Sequence, residues 1–190
     1  MTLHPAFALG QAGRAAVSCL PFADTEALVR PVWQVLADRA AEQGWDMSAP
    51  APTEDADLHL MVGTRRIDPV AVAGQRYTFV MPNADAPVRL MSRSGYPGDA
   101  KPWIADDRRL GVMVRRLVFQ QEDTAMDNPA LADGWWAAER DDGWIGRWTR
   151  GDAVLPFRGM GVLAVELSQT IAYLAEPAVP AVSARRVAAA

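Results

Sequence analysis

Apolar and polar residues follow two different periods in this chain, and the change falls between residues 45 and 58. From Asp24 to Gly44, DTEALVRPVWQVLADRAAEQG places apolar residues at Leu28, Val32, Val35 and Leu36, a helical spacing opened by Asp-Thr-Glu and closed by glycine. This predicts one N-terminal α-helix. Pro31 lies inside it, so the expectation is either a kink or a first turn over Thr25 to Arg30 with the main body starting at Pro31. Trp33 is assigned to the packing face. Trp45 to Asp57, WDMSAPAPTEDAD, is rich in Ala, Pro and acids without a period, and reads as a linker.

Beyond the linker the period drops to two. Leu58, Leu60 and Val62 alternate with His59 and Met61, Gly63-Thr64 turns into RRIDPVAV, and Gly74-Gln75 turns into RYTFVMP, where Tyr77, Phe79 and Met81 face one way. PVRLMSR, RLGVMVRRLVF and GMGVLAVEL extend the set. In the second of these, Leu110, Val112 and Val114 alternate with Gly111, Met113 and Arg115. Arg116 then falls on the apolar side, which predicts a bulge or strand end near Arg115. Arg147-Trp148-Thr149 ends a strand, Gly151-Asp152 turns, and Ala153 to Leu155 begins the next, which reads as a hairpin.

Strands joined without intervening helices pair antiparallel, because a parallel crossover needs a long connection. The fold expected is mainly β: an antiparallel β-sandwich, jelly-roll-like, with one N-terminal α-helix. Its parts would be a helical segment over residues 1–46, the sandwich over 58–175 and a flexible tail over 176–190.

Composition removes several classes of function. At 190 residues, with 50% hydrophobic and 22% charged positions, the chain can bury one ordinary globular core. A formal charge of −4 supplies no diffuse positive field for phosphate, so no nucleic-acid partner is expected. No stretch approaches the roughly 18 to 20 apolar residues of a spanning helix, and the N-terminus lacks the basic cluster of a signal peptide. The location expected is cytoplasmic, or exported without a cleavable signal.

Cys19 is the single cysteine, which excludes an intrachain disulfide and a multi-thiolate zinc site. His4 and His59 belong to no HExxH motif, and GxSxG, GxxxxGK[ST] and GxGxxG motifs are missing. No metal, cofactor or catalytic residue is therefore expected. Asp106-Asp107, Glu122-Asp123 and Asp141-Asp142 could supply an acid-base pair or calcium ligands, and the alternative is that they solvate loops. Arg108, Arg109, Arg115 and Arg116 read either as strand-end ion pairs or as an anion site.

The richest chemistry lies in GWWAAERDDGWIGRWT, which holds Trp135, Trp136, Trp144 and Trp148. Indole faces pack against sugar C–H groups while nearby charged side chains hydrogen-bond the hydroxyls. The candidate ligand-binding residues are Trp135, Trp136, Trp148, Arg109, Arg147, Glu139 and Asp152. The competing possibility is structural: indoles that plug the core, with Arg147 paired to Glu139.

SRSGYP, DDRRLGV and RWTRGDAVLP, in that order and spacing and with flanking stretches from His4 to Tyr173, resemble the C-terminal module of alphaproteobacterial proteins that carry a Hedgehog/intein (Hint) domain. A shorter set of the same stretches resembles modules attached to bacterial glycosyltransferases. The second likeness implies a carbohydrate-associated sandwich. The N-terminal nucleophile, Thr-x-x-His block and His-Asn end by which a Hint domain cleaves itself are not in this sequence, so self-processing is not carried over. The function expected is a non-catalytic accessory module that binds polysaccharide or glycan; the alternatives are a protein-interaction module, such as a homodimer, with structural tryptophans, and an enzyme whose pocket collects carboxylates such as Asp106, Asp107 and Glu139.

Overall fold

The computed structural model describes residues 25–45, 52–83, 86–101 and 103–174. The expectations for His4, Cys19, the N-terminal signal and the tail over 176–190 lie outside the described residues.

Helix α1 spans Glu26–Glu42, with Thr25 at its N-cap, and it runs through Pro31 without a break. Pro31 removes the N–H that would bond the Ala27 carbonyl, but Ala27 is exposed and water can satisfy it. None of the helix is buried: Leu28, Val32, Val35 and Leu36, the apolar positions of its helical spacing, are open to solvent. It meets Trp103, which lies outside the strands, through Trp33, set edge-on at 6.0 Å between ring centroids, and through Arg30 lying over the same Trp103 ring. No described helix is long and apolar enough to cross a membrane.

The strands are β1 (Pro52–Thr53), β2 (His59–Val62), β3 (Arg65–Ile67), β4 (Ala71–Ala73), β5 (Arg76–Met81) and β6 (Val88–Met91). After the one-turn helix α2 (Pro97–Ala100) come β7 (Met113–Phe119), β8 (Glu122–Thr124), β9 (Trp135–Asp141), β10 (Trp144–Thr149), β11 (Asp152–Leu155), β12 (Gly161–Gln169) and β13 (Tyr173–Leu174). Helix α2 is absent from the sequence expectations because a single turn has no periodicity to show; Pro97 at its first position presets φ. A seven-stranded sheet has the order β4-β5-β12-β7-β10-β9, with β8 added to the far half of β7. A four-stranded sheet has the order β11-β6-β2-β3, and β1 pairs with β13. Each of these pairings is antiparallel.

Both larger sheets feed one hydrophobic cluster. Leu60, Val62, Leu90 and Leu155 come from the four-stranded sheet, and Phe79, Met81, Val114, Leu117, Leu163 and Val165 from the seven-stranded one. The alternation read at Leu58–Val62 and Arg76–Met81 is present as written, buried on one side and open on the other. Between Leu110 and Val114 it fails, because all five residues are buried. Here both faces of the chain are covered: Val112 and Val114 join the main cluster, while Leu110 and Met113 join Trp148 in a second one. The bulge expected near Arg115 is found there, since Glu166 pairs with Arg116 and Leu167 with Val114, which leaves Arg115 unmatched.

The corner at Thr149–Asp152 differs from the expected hairpin. β10 belongs to the seven-stranded sheet and β11 to the four-stranded one, so the turn carries the chain from one sheet to the other. It is held by a knot of three distant segments. Gly111 N–H donates to the Thr149 carbonyl (2.7 Å), Val112 N–H to Thr149 Oγ1 (3.1 Å), and Ser92 N–H to the Gly151 carbonyl (2.9 Å). Gly95 and Leu110 exchange backbone hydrogen bonds beside them, and Tyr173 Oη donates to the Gly111 carbonyl (2.7 Å). Burial pushes the Tyr173 hydroxyl up to about 12, so it stays protonated and donating at neutral pH. The chain can close this tightly only with glycine: a Cβ on Gly111 would lie 2.4 Å from Thr149 Oγ1 and 2.6 Å from Gly151 N. Gly151 itself has φ +94°, the left-handed region, and touches Ser94.

Gly111→Ala forces one extra methyl group against backbone that has nowhere to move. The substitution is expected to cost about 2–3 kcal/mol, read as a lowered urea midpoint with an unchanged m-value. A midpoint within error of the parent would show that the three segments are not in contact.

Candidate functional site

Strand alternation sends neighbouring residues of this region to opposite faces. Trp135 points into the main core, 4% exposed, and its Nε1 donates to the Val154 carbonyl at 2.9 Å. Trp136, next in sequence, packs on the second cluster on the other face of the sheet. On β10, Ile145 packs on the main cluster, while Trp144, Gly146 and Trp148 share the outer face at two-residue spacing. A β-bulge between Arg147 and Thr149 sets Trp136 and Ala137 opposite Trp148.

The outer face is therefore built in two tiers. Trp148, Leu110 and Met113 form a buried floor, Trp148 being 5% exposed. Above them stand Trp136, half-buried, and Trp144, 40% exposed. Gly146 has no side chain to lift Trp144 away: a Cβ there would sit 2.5 Å from the far edge of that ring. The floor opens into a cleft of about 540 Å³. Leu110, Trp148 and Ile171 give it apolar walls, and Glu54, Lys101, Asp106, Gln169 and Thr170 give it polar groups.

Arg108 ties the face together. It grips Asp106 through Nε (3.0 Å) and Nη2 (2.7 Å), reaches Glu139 through Nη1 (2.7 Å), and lies 5.8 Å from the centre of the Trp136 ring. Hydrogen bonding from Arg108 holds the Asp106 carboxyl below the usual carboxylate range, so Asp106 is an acceptor at neutral pH and not a proton donor. Arg150 covers the same indole at 4.2 Å, close enough for a cation–π contact, and Trp136 Nε1 donates to the Arg109 carbonyl at 3.0 Å.

Of the residues the sequence singled out, Trp136, Trp148, Glu139 and Arg109 come together on this face. The others lie elsewhere. Trp135 is in the opposite core. Arg147, expected either to touch ligand or to pair with Glu139, instead donates to the backbone carbonyls of Trp136, Met126 and Asn128, and burial lowers its pKa. Asp152 accepts from Arg89 Nε at 2.5 Å. Arg108 is the partner that Glu139 takes.

Asp106, Arg108 and Trp144, weighed from the sequence in an acid-base pair, an anion site and the tryptophan cluster, are not among its candidate ligand-binding residues, and neither is Arg150. The i, i+2, i+4 spacing of Trp144, Gly146 and Trp148 was the available signal for Trp144. Nothing local could pair Arg108 with Glu139, which are 31 positions apart.

Several of the remaining candidates are held in ion pairs or turns. Asp123 binds Arg116, and Glu166 lies within 3.5 Å of Arg115 and 4.0 Å of Arg116, so the four arginines do not form one anion site. Asp141 ends β9 opposite Trp144, and Asp142 lies in the turn to β10, where its N–H donates to Asp141 Oδ1. His59 Nδ1 lies 2.6 Å from the Asp57 carbonyl. Among the described residues no group of three or more His, Cys, Asp or Glu side chains is placed to hold a metal ion.

Comparison with protein-family models, with curated proteins and with solved structures finds no match.

Gly146→Ala contrasts with the knot variant, because the new Cβ meets mainly the mobile end of a side chain. It is expected to cost about 1 kcal/mol or less while displacing Trp144. The Trp144 indole N–H signal in a ¹H–¹⁵N spectrum should shift strongly and that of Trp135 should not; an unmoved Trp144 signal contradicts the packing.

Proposed function

We propose that the chain is a non-catalytic binding module whose ligand is a polysaccharide or glycan, held on the outer face of β10 and β9 and in the adjoining cleft. We also infer that the two larger sheets pack face to face as a jelly-roll-like β-sandwich, because both supply one core cluster. A sandwich of this kind leaves an outer sheet face free to carry a ligand. The resemblance to the Hint-associated module fits an accessory role.

The observation that carries the glycan reading is the combination on one surface of exposed indole and fixed hydrogen-bonding groups. Trp144 offers exposed apolar ring for sugar C–H groups, the half-buried Trp136 beneath Arg150 adds part of its edge, and Glu139 and Asp106, locked by Arg108, offer acceptors for hydroxyls. The cleft volume of about 540 Å³ lies within the span usual for small-ligand sites, roughly 300–1,000 Å³. The non-catalytic part rests on Asp106 and Glu139, which both engage Arg108, so Asp106 is kept ionised and is unsuited to general-acid work.

A second reading, assembly into a homodimer or with a protein partner, is favoured by one observation. Leu28, Val32, Val35 and Leu36 lie 59–65% exposed along α1. Light scattering tests its homodimer form, which a strict monomer at high concentration removes.

Titration of intrinsic fluorescence with neutral and acidic oligosaccharides tests the glycan reading. Saturable quenching is expected, weakened on the order of tenfold, about 1.4 kcal/mol, by Trp136→Ala or Trp144→Ala and unaffected by Trp45→Ala. No quenching by any saccharide at millimolar concentration contradicts it.

A further inference from the structure

Arginines on this side of the molecule divide into those with a carboxylate partner and those without. Arg108 is held by Asp106 and Glu139, Arg89 by Asp152, and Arg140 by Asp127. Arg109 and Arg150 differ. Both are exposed, and neither forms an ion pair with a described residue: Arg109 Nε donates to Ser94 Oγ at 3.0 Å, and Arg150 is engaged by the Trp136 ring. Asp107, exposed and adjacent in sequence, pairs with neither, and Asp152 is already neutralised by Arg89.

An unpaired surface arginine is ordinarily a solvated, mobile side chain. These two are anchored at the same corner. Trp136 Nε1 fixes the Arg109 carbonyl, Arg150 N–H donates to the Gly134 carbonyl at 2.8 Å, and Ser94 Oγ lies 2.6 Å from where a Cβ of Gly151 would stand. The hydroxyl that holds the Arg109 side chain is thus packed against the residue that follows Arg150. Pre-placed guanidinium groups with free N–H donors bind a planar anion without first ordering long side chains.

We propose that Arg109 and Arg150, with Ser94 and the edge of Trp136, form a subsite for an anionic substituent, carboxylate or sulfate, of the glycan. The proposal rests on the glycan reading above. It makes the ligand an acidic polysaccharide even though the chain carries a formal charge of −4, because the positive charge is local to this corner.

The test uses fluorescence titration with maltohexaose, with an oligogalacturonate of equal length and with a heparin hexasaccharide. At least one acidic chain is expected to bind about tenfold or more tightly than maltohexaose, with an affinity that falls as salt rises. Arg109→Ala/Arg150→Ala should bring that ligand to the maltohexaose level and leave maltohexaose binding unchanged, whereas Arg39→Ala/Arg65→Ala, which removes the same charge elsewhere, should preserve the preference. The ratio between the two acidic chains identifies the anionic group. Equal binding of all three saccharides, or equal loss in both double variants, overturns the subsite and leaves the glycan reading standing. Absence of binding by all three overturns both.

Discussion

Everything on the outer face depends on the closeness of three backbone segments at Gly111, Thr149 and Gly151. Thr149 is buried and polar: its carbonyl accepts from the Gly111 N–H, its N–H donates to the Val112 carbonyl, and its hydroxyl accepts from the Val112 N–H. Stripping one such partner from a buried group costs about 1–3 kcal/mol. The approach is set by backbone and not by long side chains, so it leaves little slack. Three consequences follow from its geometry: β10 leaves one sheet for the other, Trp148 is carried into the floor beneath the cleft, and Arg109 and Arg150 both meet Trp136, one through its carbonyl and the other over the ring.

The division of labour among the tryptophans follows from the same constraint. Trp135 and Trp148 are buried, one in each hydrophobic cluster, and hold the sheet from its two faces. Trp136 and Trp144 stand above the second cluster with part of each ring in water. This face thus rests on buried indoles and shows others to solvent. Arg108 adds the polar counterpart by locking two carboxylates at hydrogen-bond distance beside Trp136.

The parts of the fold legible in the sequence are those where one face is buried and the other wet. β2 and β5 were readable for that reason, as was the bulge at Arg115, where an arginine falls out of phase with the apolar positions. Residues 110 to 114 were not, because a segment covered on both sides has no alternation to display. Turn chemistry at Gly151-Asp152 announced a reversal but could not say whether the next strand pairs with the last or crosses to another sheet. The helix was legible as a helix, yet its apolar stripe gave no sign of standing exposed. In the site, composition found the tryptophan cluster and parity along β10 sorts it. Arg108 with Glu139, and Ser94 with Arg109, are joined by the fold across 31 and 15 positions, beyond the reach of any local pattern.

The central claim is that this knot is part of the global core and not a surface loop. Native-state hydrogen exchange of the Gly111, Val112 and Ser92 amides measures it directly. If the claim holds, the three exchange only through global unfolding, with the free energy and denaturant dependence of the β5 and β12 amides. Exchange of these amides through a local opening that leaves β5 and β12 protected would contradict it.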